Sequence, residues 1–438
     1  MKHIVIIWAG AAGLMTTATI LESSQSRDYH IHLFEKNTSP WKKVIISGGG
    51  RCNVTTAIED KKILSTKYVR GWEFIRKAMG KFSPRKCREW FEAHGVPLKI
   101  QEDMRVFPIS DDGNDIVGVF QDIFAKYRDN ISIHYGEWIT DVSVIPEHVG
   151  IQSSSIDPGT SPGWQKQSMY QLATPKWTYT SDILVITTGW NAYSHTGSTG
   201  DGYAFARVLG HSVTTLWPSL SSFLTRETWL HALSGLAFSD ATLLTDDVAL
   251  SWPLLLTHFG ISGPLAFMIS SHLAWEDIGA WHERVVYLRP LSTLSENDWD
   301  EYLKSTFIAH PKKVITSILG DKLPRRFVDV FVGEYFTHIS DTFASSISRK
   351  DRERIAELLG RGIPLTLLER RPGDEFVTAG GVSTDELDPL TMESRIRQHL
   401  YFAGEVLNVD GYTGGFSLQI CWASGYVAGR DIAEQLSD

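Results

Sequence analysis

A strand, a turn that contains glycine, a helix and a second strand open this chain. Residues His3–Ile7 are mostly β-branched, and Leu14–Ser23 are good helix formers. A second apolar run, Ile31–Phe34, ends at Glu35. The unit spans about 30 residues, the length of a β-α-β crossover. Because parallel strands are joined through helices that cover the sheet, this feature favours an α/β fold with a parallel sheet.

The first turn has the pattern of a dinucleotide-binding motif. Its residues are Trp8, Ala9, Gly10, Ala11, Ala12 and Gly13. Gly10 and Gly13 stand at the second and third glycine positions, where glycine admits a pyrophosphate and lets helix and strand pack closely. Glu35 lies 22 residues beyond Gly13, followed by Lys36, and an acid at this point accepts ribose hydroxyls. For this segment alone, a tight turn without a ligand is the alternative.

A glycine-rich loop follows at Ser47–Asn53. Three consecutive glycines, residues 48–50, expose backbone N–H groups that can surround an anion. Arg51 can add a bidentate contact to a phosphate or carboxylate. A flexible loop with a solvated arginine is the alternative. Cys52 is interpreted as a small buried residue rather than a nucleophile, because no base is identifiable beside it.

Two later segments, residues 183–202 and 400–415, have glycines and acids that could contact the same bound dinucleotide. The strand Ile183–Thr187 runs into Thr188-Gly189 and then a glycine-rich turn at 196–202, although an ordinary strand exit fits equally well. Glu405 follows a short strand, Leu400–Ala403, and is placed to bind ribityl hydroxyls. Gly414 and Gly415 precede a helix whose positive end can face the negative charge that develops when a flavin ring is reduced. Loop acids in water are the alternative for Glu405 and Asp410.

Composition excludes several classes of function. The net charge is -9 with a pI near 5.9, which argues against nucleic acid as the main partner. No apolar run approaches the length of a membrane span, and three cysteines are too few for a disulfide framework. We therefore expect a cytoplasmic protein with a small-molecule substrate, no metal site and no membrane partner.

Together these motifs resemble the BaiN and aminoacetone-oxidase-like flavoproteins. The resemblance rests on Gly10–Leu14, Ser47–Thr55, Arg105–Pro108, Thr196–Tyr203, Thr257–Pro264, Thr378–Val382, Thr391–Ser394 and Gly404–Gly415, and it runs the length of the chain. It implies one FAD and a Rossmann-like α/β domain formed by both chain ends. The residues expected to bind FAD are Gly10, Ala11, Ala12, Gly13, Glu35, Lys36, Gly49, Arg51, Cys52, Asn53, Thr188, Gly189, Gly380, Gly381, Glu405, Asp410, Gly411, Gly414 and Gly415.

The resemblance also implies a division into domains. The FAD domain is expected to span residues 1–204 and 371–438. Residues 205–370 would form an insert with a β-barrel-like part and a helical subdomain at about 293–357. The expected activity is that of an FAD-dependent oxidoreductase of unknown substrate, with NAD(P)H as a transient electron donor. No catalytic acid or base is assigned; the candidates are Tyr193, His195, His258 and Tyr412.

Four tryptophans depart from the family pattern, which has glycine at Trp8, Trp190 and Trp252 and often at Trp41. One explanation is a degenerate, non-catalytic scaffold whose nucleotide site is blocked. The other is a UGA codon that the organism reads as glycine; TGG codons in the gene would contradict this. A flavoprotein that modifies RNA is a third hypothesis, disfavoured by the acidic balance and by the lack of an evident basic cluster.

Overall fold

The structure is a computed structural model that describes residues 1–38, 41–146, 168–192, 199–279, 282–373 and 375–437. The chain divides into two compact units. Unit 1 contains Met1–Trp217 and Val377–Asp438, and unit 2 contains Pro218–Phe376. Among the described residues, no helix is both long and apolar enough to span a bilayer.

The amino-terminal part of unit 1 alternates strands and helices. Its strands are β1 (Lys2–Ile7), β2 (Tyr29–Glu35), β3 (Thr55–Thr56), β4 (Tyr68–Arg70), β5 (Leu98–Ile100), β6 (Arg105–Pro108), β7 (Ile131–Tyr135), β8 (Asp141–Pro146), β9 (Ser168–Ala173), β10 (Thr178–Ser181) and β11 (Ile183–Ile186). Its helices are α1 (Ala11–Ser23), α2 (Lys42–Ile46), α3 (Lys61–Ser65), α4 (Trp72–Lys81), α5 (Pro84–Ala93), α6 (Gly113–Lys126) and α7 (Asp201–Val208).

The later strands and helices belong mostly to unit 2. Its strands, after β12 (Trp217–Ser219) at the boundary, are β13 (Phe223–Thr225), β14 (Ala237–Leu244), β15 (Ala249–Leu256), β16 (Gly260–Ser262), β17 (Arg284–Arg289) and β18 (Ile363–Arg370). Its helices are α8 (Gly263–His272), α9 (Glu296–Ala309), α10 (Ile315–Gly320), α11 (Arg325–Tyr335) and α12 (Arg349–Gly360). The chain returns to unit 1 with β19 (Val377–Ala379), β20 (Leu400–Phe402), β21 (Asp410–Gly411) and α13 (Phe416–Gln435).

Both chain ends build the central sheet of unit 1. The strand order is β20-β11-β1-β2-β7, and every pairing is parallel. The β1 strand is flanked by β11 on one side and β2 on the other, with Ile7 opposite Ile186 and Phe34. The carboxyl ends of β1, β2, β11 and β20 therefore meet at one edge, here called the carboxyl edge. In open parallel sheets ligands bind at this edge.

Two helices from opposite chain ends cover the sheet by packing very closely. An ideal Cβ on Gly425 of α13 would lie 2.6 Å from the Ala12 carbonyl oxygen, and one on Gly429 would lie 2.7 Å from that of Thr16. Only glycine permits this approach of α13 to α1. The predicted α/β fold class, with a Rossmann-like domain made by both chain ends, is confirmed.

Unit 2 is a closed barrel with a helical part. Strands β13, β16, β15, β14, β17 and β18 close the barrel through antiparallel pairings. The four helices α9 to α12 lie between β17 and β18 in sequence. One apolar core, from Phe223 to Leu367, joins residues of the barrel and of these helices. The predicted insert with a barrel and a helical subdomain is present.

The region from β4 to α5 contains a strand and two helices instead of one helical stretch. The apolar positions Trp72, Ile75, Met79, Trp90 and Phe91 predict that residues 68–95 are helical, but these residues form β4, α4 and α5. Ser83 caps α5 by accepting from the Lys86 N–H at 3.3 Å, and Pro84 occupies the first turn. Because proline cannot continue a preceding helix, this pair ends α4 and starts α5.

Four histidines gather on one face of the central sheet. His3 Nδ1 lies 3.4 Å from His32 Nε2, and His32 Nδ1 lies 3.1 Å from His134 Nε2. The His30 ring lies against His32, and Tyr179 of β10 covers the group. Burial, together with the neighbouring imidazoles, lowers the pKa of His32 from 6.5 to about 4. The folded state therefore disfavours the charged form of this ring.

This cluster is expected to make stability fall in acid. The unfolded chain protonates His32 near 6.5 and the folded chain only near 4, so stability is fully present above 6.5 and is lost towards 4. We expect the cluster to remove on the order of 1–3 kcal/mol of unfolding free energy across that window. Urea unfolding of the parent and of His32→Gln at several pH values measures this loss of unfolding free energy. The variant should have a shallower pH slope, whereas the exposed control His310→Gln should keep the parental slope; equal slopes in all three would contradict the assignment.

Candidate functional site

The turn between β1 and α1 leaves an open, uncapped helix start at the carboxyl edge. Gly10 is the N-cap of α1, no side chain caps the helix, and its first turn contains no acid. The nearest atom to an ideal Cβ on Gly10 is the Thr187 carbonyl oxygen, 4.0 Å away. A Cβ on Gly13 would instead lie 2.0 Å from the Trp8 carbonyl oxygen. Gly10 thus leaves room beside the uncapped first turn of α1, and Gly13 lets helix and strand meet.

Glu35 lies buried beside this turn at the end of β2. Its Oε1 accepts from the Asn37 N–H at 2.9 Å and from Asn37 Nδ2 at 2.8 Å, and the Ala9 N–H also donates to the carboxylate. Burial raises the pKa of Glu35, while these donors oppose the shift. The next residue, Lys36, pairs with Asp201 at 3.4 Å. Glu35 is therefore a fixed acceptor within the carboxyl edge.

The loop at residues 48–53 has glycine-type backbone, and its Gly50 and Cys52 N–H groups donate to the carbonyl oxygens of Ile46 and Ser47. Gly48, Gly49 and Gly50 all have positive φ, and nothing lies within 4 Å of an ideal Cβ on the last two. The Arg51 guanidinium lies 4.2 Å from the centre of the Phe107 ring. Cys52 is fully buried, which raises the pKa of its thiol to about 12. It is a poor nucleophile, as interpreted from the sequence.

The segment Gly404–Gly415 joins the two chain ends. An ideal Cβ on Gly189 would lie 3.6 Å from Glu405 Oε2, so Glu405 faces the end of β11. Burial raises the pKa of Glu405, and the charge of Lys43 opposes this shift. With its amide oxygen facing Gly415, Asn53 accepts from the Gly415 N–H at 2.9 Å.

Asp410 is buried in an ion pair. Arg70 Nε donates to Asp410 Oδ1 at 2.9 Å, and Arg70 Nη2 lies 2.7 Å from Asp410 Oδ2. Asp410 was expected to line the cofactor, but its partner comes from β4, 340 residues earlier. An ion pair across such a separation leaves no signal in the sequence. Gly411 follows it in β21, which pairs with β4.

The remaining expected residues lie in the same unit. Gly380 and Gly381 approach backbone closely: a Cβ on Gly380 would lie 2.4 Å from the Thr215 carbonyl oxygen, and one on Gly381 would lie 2.6 Å from that of Val406. Ala11 and Ala12 are buried in the first turn of α1. Gly414 and Gly415 have positive φ before α13, whose start has no side-chain cap.

Several buried polar atoms of unit 1 have no hydrogen-bond partner among the described residues. They are Trp41 Nε1, Thr188 Oγ1, Trp190 Nε1, Tyr203 OH and Asn408 Oδ1. A buried polar atom without a partner costs about 1–3 kcal/mol, so such a group indicates a site for a hydrogen-bonding ligand. Burial raises the pKa of the Tyr203 hydroxyl, and the negative charges of Glu405 and Asp410 raise it further. Neither Tyr203 nor Lys43 was recognised from the sequence.

These features fit a dinucleotide, and Trp8 is the exception. The open Gly10 turn suits a pyrophosphate, Glu35 suits a ribose, and the orphaned polar atoms suit the remaining polar groups. Trp8, however, has a φ of 83° and is only 8% exposed. A residue with a Cβ is strained there, and a buried indole at the end of β1 occupies part of the carboxyl edge.

The four departing tryptophans differ in backbone conformation. Trp41 also has a positive φ, 67°, before α2. Trp190 is buried without a positive φ, and Trp252 is a strand residue of β15 opposite Ala241. The structure therefore places glycine-type backbone at positions 8 and 41 only.

The candidate proton donors do not converge in the described part of the chain. Tyr193, His195 and residues 196–198 of the glycine-rich turn lie outside the described residues. His258 belongs to unit 2, where its ring contacts Phe259. Tyr412 is buried in unit 1, and burial raises its pKa to about 12. Within the described residues, no three His, Cys, Asp or Glu side chains are grouped to hold a metal ion.

The fold and this edge define a Rossmann-type FAD-binding protein class. The chain belongs to the family described as HI0933-like protein Rossmann domain, which matches residues 2–431. This confirms the resemblance inferred from the motifs.

Curated relatives align over almost the whole chain. A 3-dehydro-bile acid delta(4,6)-reductase of Clostridium scindens is 26% identical, covering 99% of this chain and all of the relative. Ribosomal RNA dihydrouridine synthases of Escherichia coli and Haemophilus influenzae are each 26% identical, covering 98% of this chain and 97% and 98% of the relatives. A flavocytochrome c3 fumarate reductase structure is 14% identical with a TM-score of 0.47, covering 100% of this chain and 79% of that one.

Proposed function

We propose that the chain is an FAD-dependent oxidoreductase with FAD along the carboxyl edge of unit 1. One observation carries this proposal: the uncapped start of α1 at Gly10 is open beside the buried acceptor Glu35. Such a helix start binds phosphate, and a neighbouring acid binds ribose. The other expected residues, from Gly49 to Asn53 and from Glu405 to Gly415, would hold the remainder of the cofactor.

The chain's own residues would orient the cofactor and shape its surroundings. When bound, FAD supplies hydride transfer. The uncapped start of α13 at Gly415 stabilises negative charge placed before it. The Tyr203 hydroxyl, buried and without a partner in the described part of the chain, is free to donate to a bound group. The Gly404–Gly415 segment is held in place by the Asn53 and Arg70 contacts.

We propose reduction of a carbon–carbon double bond conjugated to a carbonyl group as the reaction class. The names of the relatives support it, because a delta(4,6)-reductase and a dihydrouridine synthase both act by adding hydrogen to such a bond. NAD(P)H is the proposed donor, docking transiently. A cytoplasmic location is also proposed; Cys52, Cys87 and Cys421 are all free and buried.

Binding is tested by titrating the purified protein with FAD and following the flavin fluorescence. Anaerobic mixing with NADH and with NADPH then shows which donor bleaches the flavin. Subsequent mixing with a steroid enone or with a uridine-containing RNA shows which acceptor restores its absorbance. A folded protein that takes up no flavin at any concentration, even with glycine at position 8, supports the scaffold hypothesis instead.

Glu35→Ala is expected to raise the Kd for FAD by roughly 10- to 100-fold, since a hydrogen bond to a charged group contributes about 1.5–3 kcal/mol. It should be measured in a chain that also carries Trp8→Gly, so that the turn is open. Glu102→Ala, which removes an exposed carboxylate, is the matched control and should leave Kd unchanged. Equal affinities for the two variants would remove Glu35 from the site.

A further inference from the structure

One lysine beside the carboxyl edge has no acidic partner. Lys43 lies half-buried in α2, and its ammonium forms no ion pair or hydrogen bond in the described part of the chain. The ammonium lies 6.0 Å from the centre of the Trp190 ring, at the outer limit of a cation–π contact. Because a half-buried ammonium without a bonded partner forgoes part of its hydration, this position favours an anionic ligand.

Lys43 lies near Glu405, which comes from the opposite end of the chain. Burial raises the pKa of Glu405, and the positive charge of Lys43 opposes that shift. The described residues nevertheless contain no direct ion pair between the two side chains. The Glu405 carboxylate instead faces Gly189, whose ideal Cβ would lie 3.6 Å from Glu405 Oε2. Glu405 therefore attracts the Lys43 ammonium but leaves it able to bond another acceptor.

The same ammonium acts at the start of α1. Burial raises the pKa of the Cys421 thiol in α13, and the Glu405 carboxylate raises it further. The charge of Lys43 and the N–H of Ala12, in the first turn of α1, both oppose this shift. An ideal Cβ on Gly404 would lie 2.6 Å from Ala12 Cβ and 3.3 Å from the Cys421 sulfur. Lys43 and the uncapped helix start therefore belong to one region.

The other cations of the expected site have acidic partners. Lys36 Nζ lies 3.4 Å from Asp201 Oδ2, and Arg51 Nη1 lies 3.8 Å from Asp111 Oδ1. A third cation belongs to the buried ion pair between β4 and β21. The start of α1 offsets only part of the charge of a pyrophosphate. Among the described residues of this region, Lys43 is therefore the unpaired cation that could offset the remainder.

We propose that Lys43 binds the pyrophosphate of the cofactor. This inference rests on the proposed FAD-dependent function, and it names a residue that supplies positive charge in addition to the helix start at Gly10. A lysine ammonium pairs with phosphate as a point charge. Oxidised FAD carries its net negative charge on the pyrophosphate. Loss of the ammonium should therefore lower both the affinity for FAD and the sensitivity of that affinity to salt.

The test is a fluorescence titration of oxidised FAD with the Trp8→Gly chain at low and high salt. Adding Lys43→Met to this chain should raise the Kd for FAD about tenfold or more at low salt, because a hydrogen bond to a charged group is lost. The Kd of this variant should also rise less with added salt. Lys43→Arg keeps the charge and should keep the Kd within about threefold. Lys42→Met, at the adjacent exposed lysine, is the matched control and should change neither quantity.

Thermal melts establish that the variants fold, and Lys43→Gln replaces Lys43→Met if the latter does not. Equal Kd values for the variants at positions 42 and 43 would overturn the proposal. A weaker affinity with an unchanged salt dependence would also overturn it, because the lysine would then contact an uncharged part of FAD. If the Trp8→Gly chain itself binds no FAD, the proposed function fails together with this inference. If it binds FAD and Lys43→Met binds it equally well, only this inference fails.

Discussion

Trp8→Gly is expected to lower the Kd for FAD by about 100-fold. The indole is buried at the end of β1, where the family pattern has glycine, and we expect it to compete with a pyrophosphate for the carboxyl edge. Exposing a buried side chain of this size costs about 3 kcal/mol, which corresponds to roughly 100-fold in Kd. Isothermal titration calorimetry of the parent and the variant with FAD measures the difference.

Two further variants separate the indole from the backbone. Trp8→Ala removes the ring but keeps a Cβ at a φ of 83°, so its affinity for FAD should lie between those of the parent and of Trp8→Gly. Trp177→Gly, at a side chain 66% exposed on the surface of unit 1, should change nothing. If the parent binds FAD as tightly as Trp8→Gly does, the indole does not obstruct the site.

Gly13→Ala is expected to cost about 3 kcal/mol or more of unfolding free energy, because its Cβ would lie 2.0 Å from the backbone oxygen of Trp8. Backbone cannot move aside as a flexible side chain can, so α1 must shift away from β1. Urea unfolding measures the loss.

Gly10→Ala is the matched comparison, because Gly10 lies three residues before Gly13 and is given a different role. Gly10 has a φ of -73° and open space around an added Cβ, so its stability should change by about 1 kcal/mol or less. Its FAD affinity, in a chain with Trp8→Gly, should fall about tenfold or more, because the methyl group enters the phosphate space. Similar unfolding free energies for the two alanine variants would contradict the different roles given to these glycines.

Local patterns were sufficient to predict the centre of the fold. The β1–α1–β2 unit follows from β-branched runs, two glycines and an acid at fixed spacing, all within 35 residues. The resemblance of Gly404–Gly415 to a known motif placed the second chain end in the same domain. The boundaries proposed at 204/205 and 370/371 remain predictions of where the domains divide.

Contacts between distant segments could not be predicted. The Arg70–Asp410 pair and the Tyr68–Phe416 contact join residues more than 300 positions apart, and neither has a local signature. The basic segment Lys61–Arg88, with ten lysines and arginines and one acid, contradicts the expectation that the chain lacks a basic cluster. It was missed because the charge of the whole chain says nothing about how charge is distributed. The resemblance indicated glycine at positions 8, 190 and 252 and often at 41, but only the structure shows that positions 8 and 41 have a positive φ.

A crystal structure of the Trp8→Gly chain grown with FAD tests the central claim most directly. We expect the pyrophosphate at the Gly10 turn, the adenosine ribose on Glu35, and the flavin end against residues from both termini, including Glu405 and Gly415. FAD bound elsewhere, or seated without contact to the carboxyl-terminal segment, would contradict a cofactor site built by both chain ends.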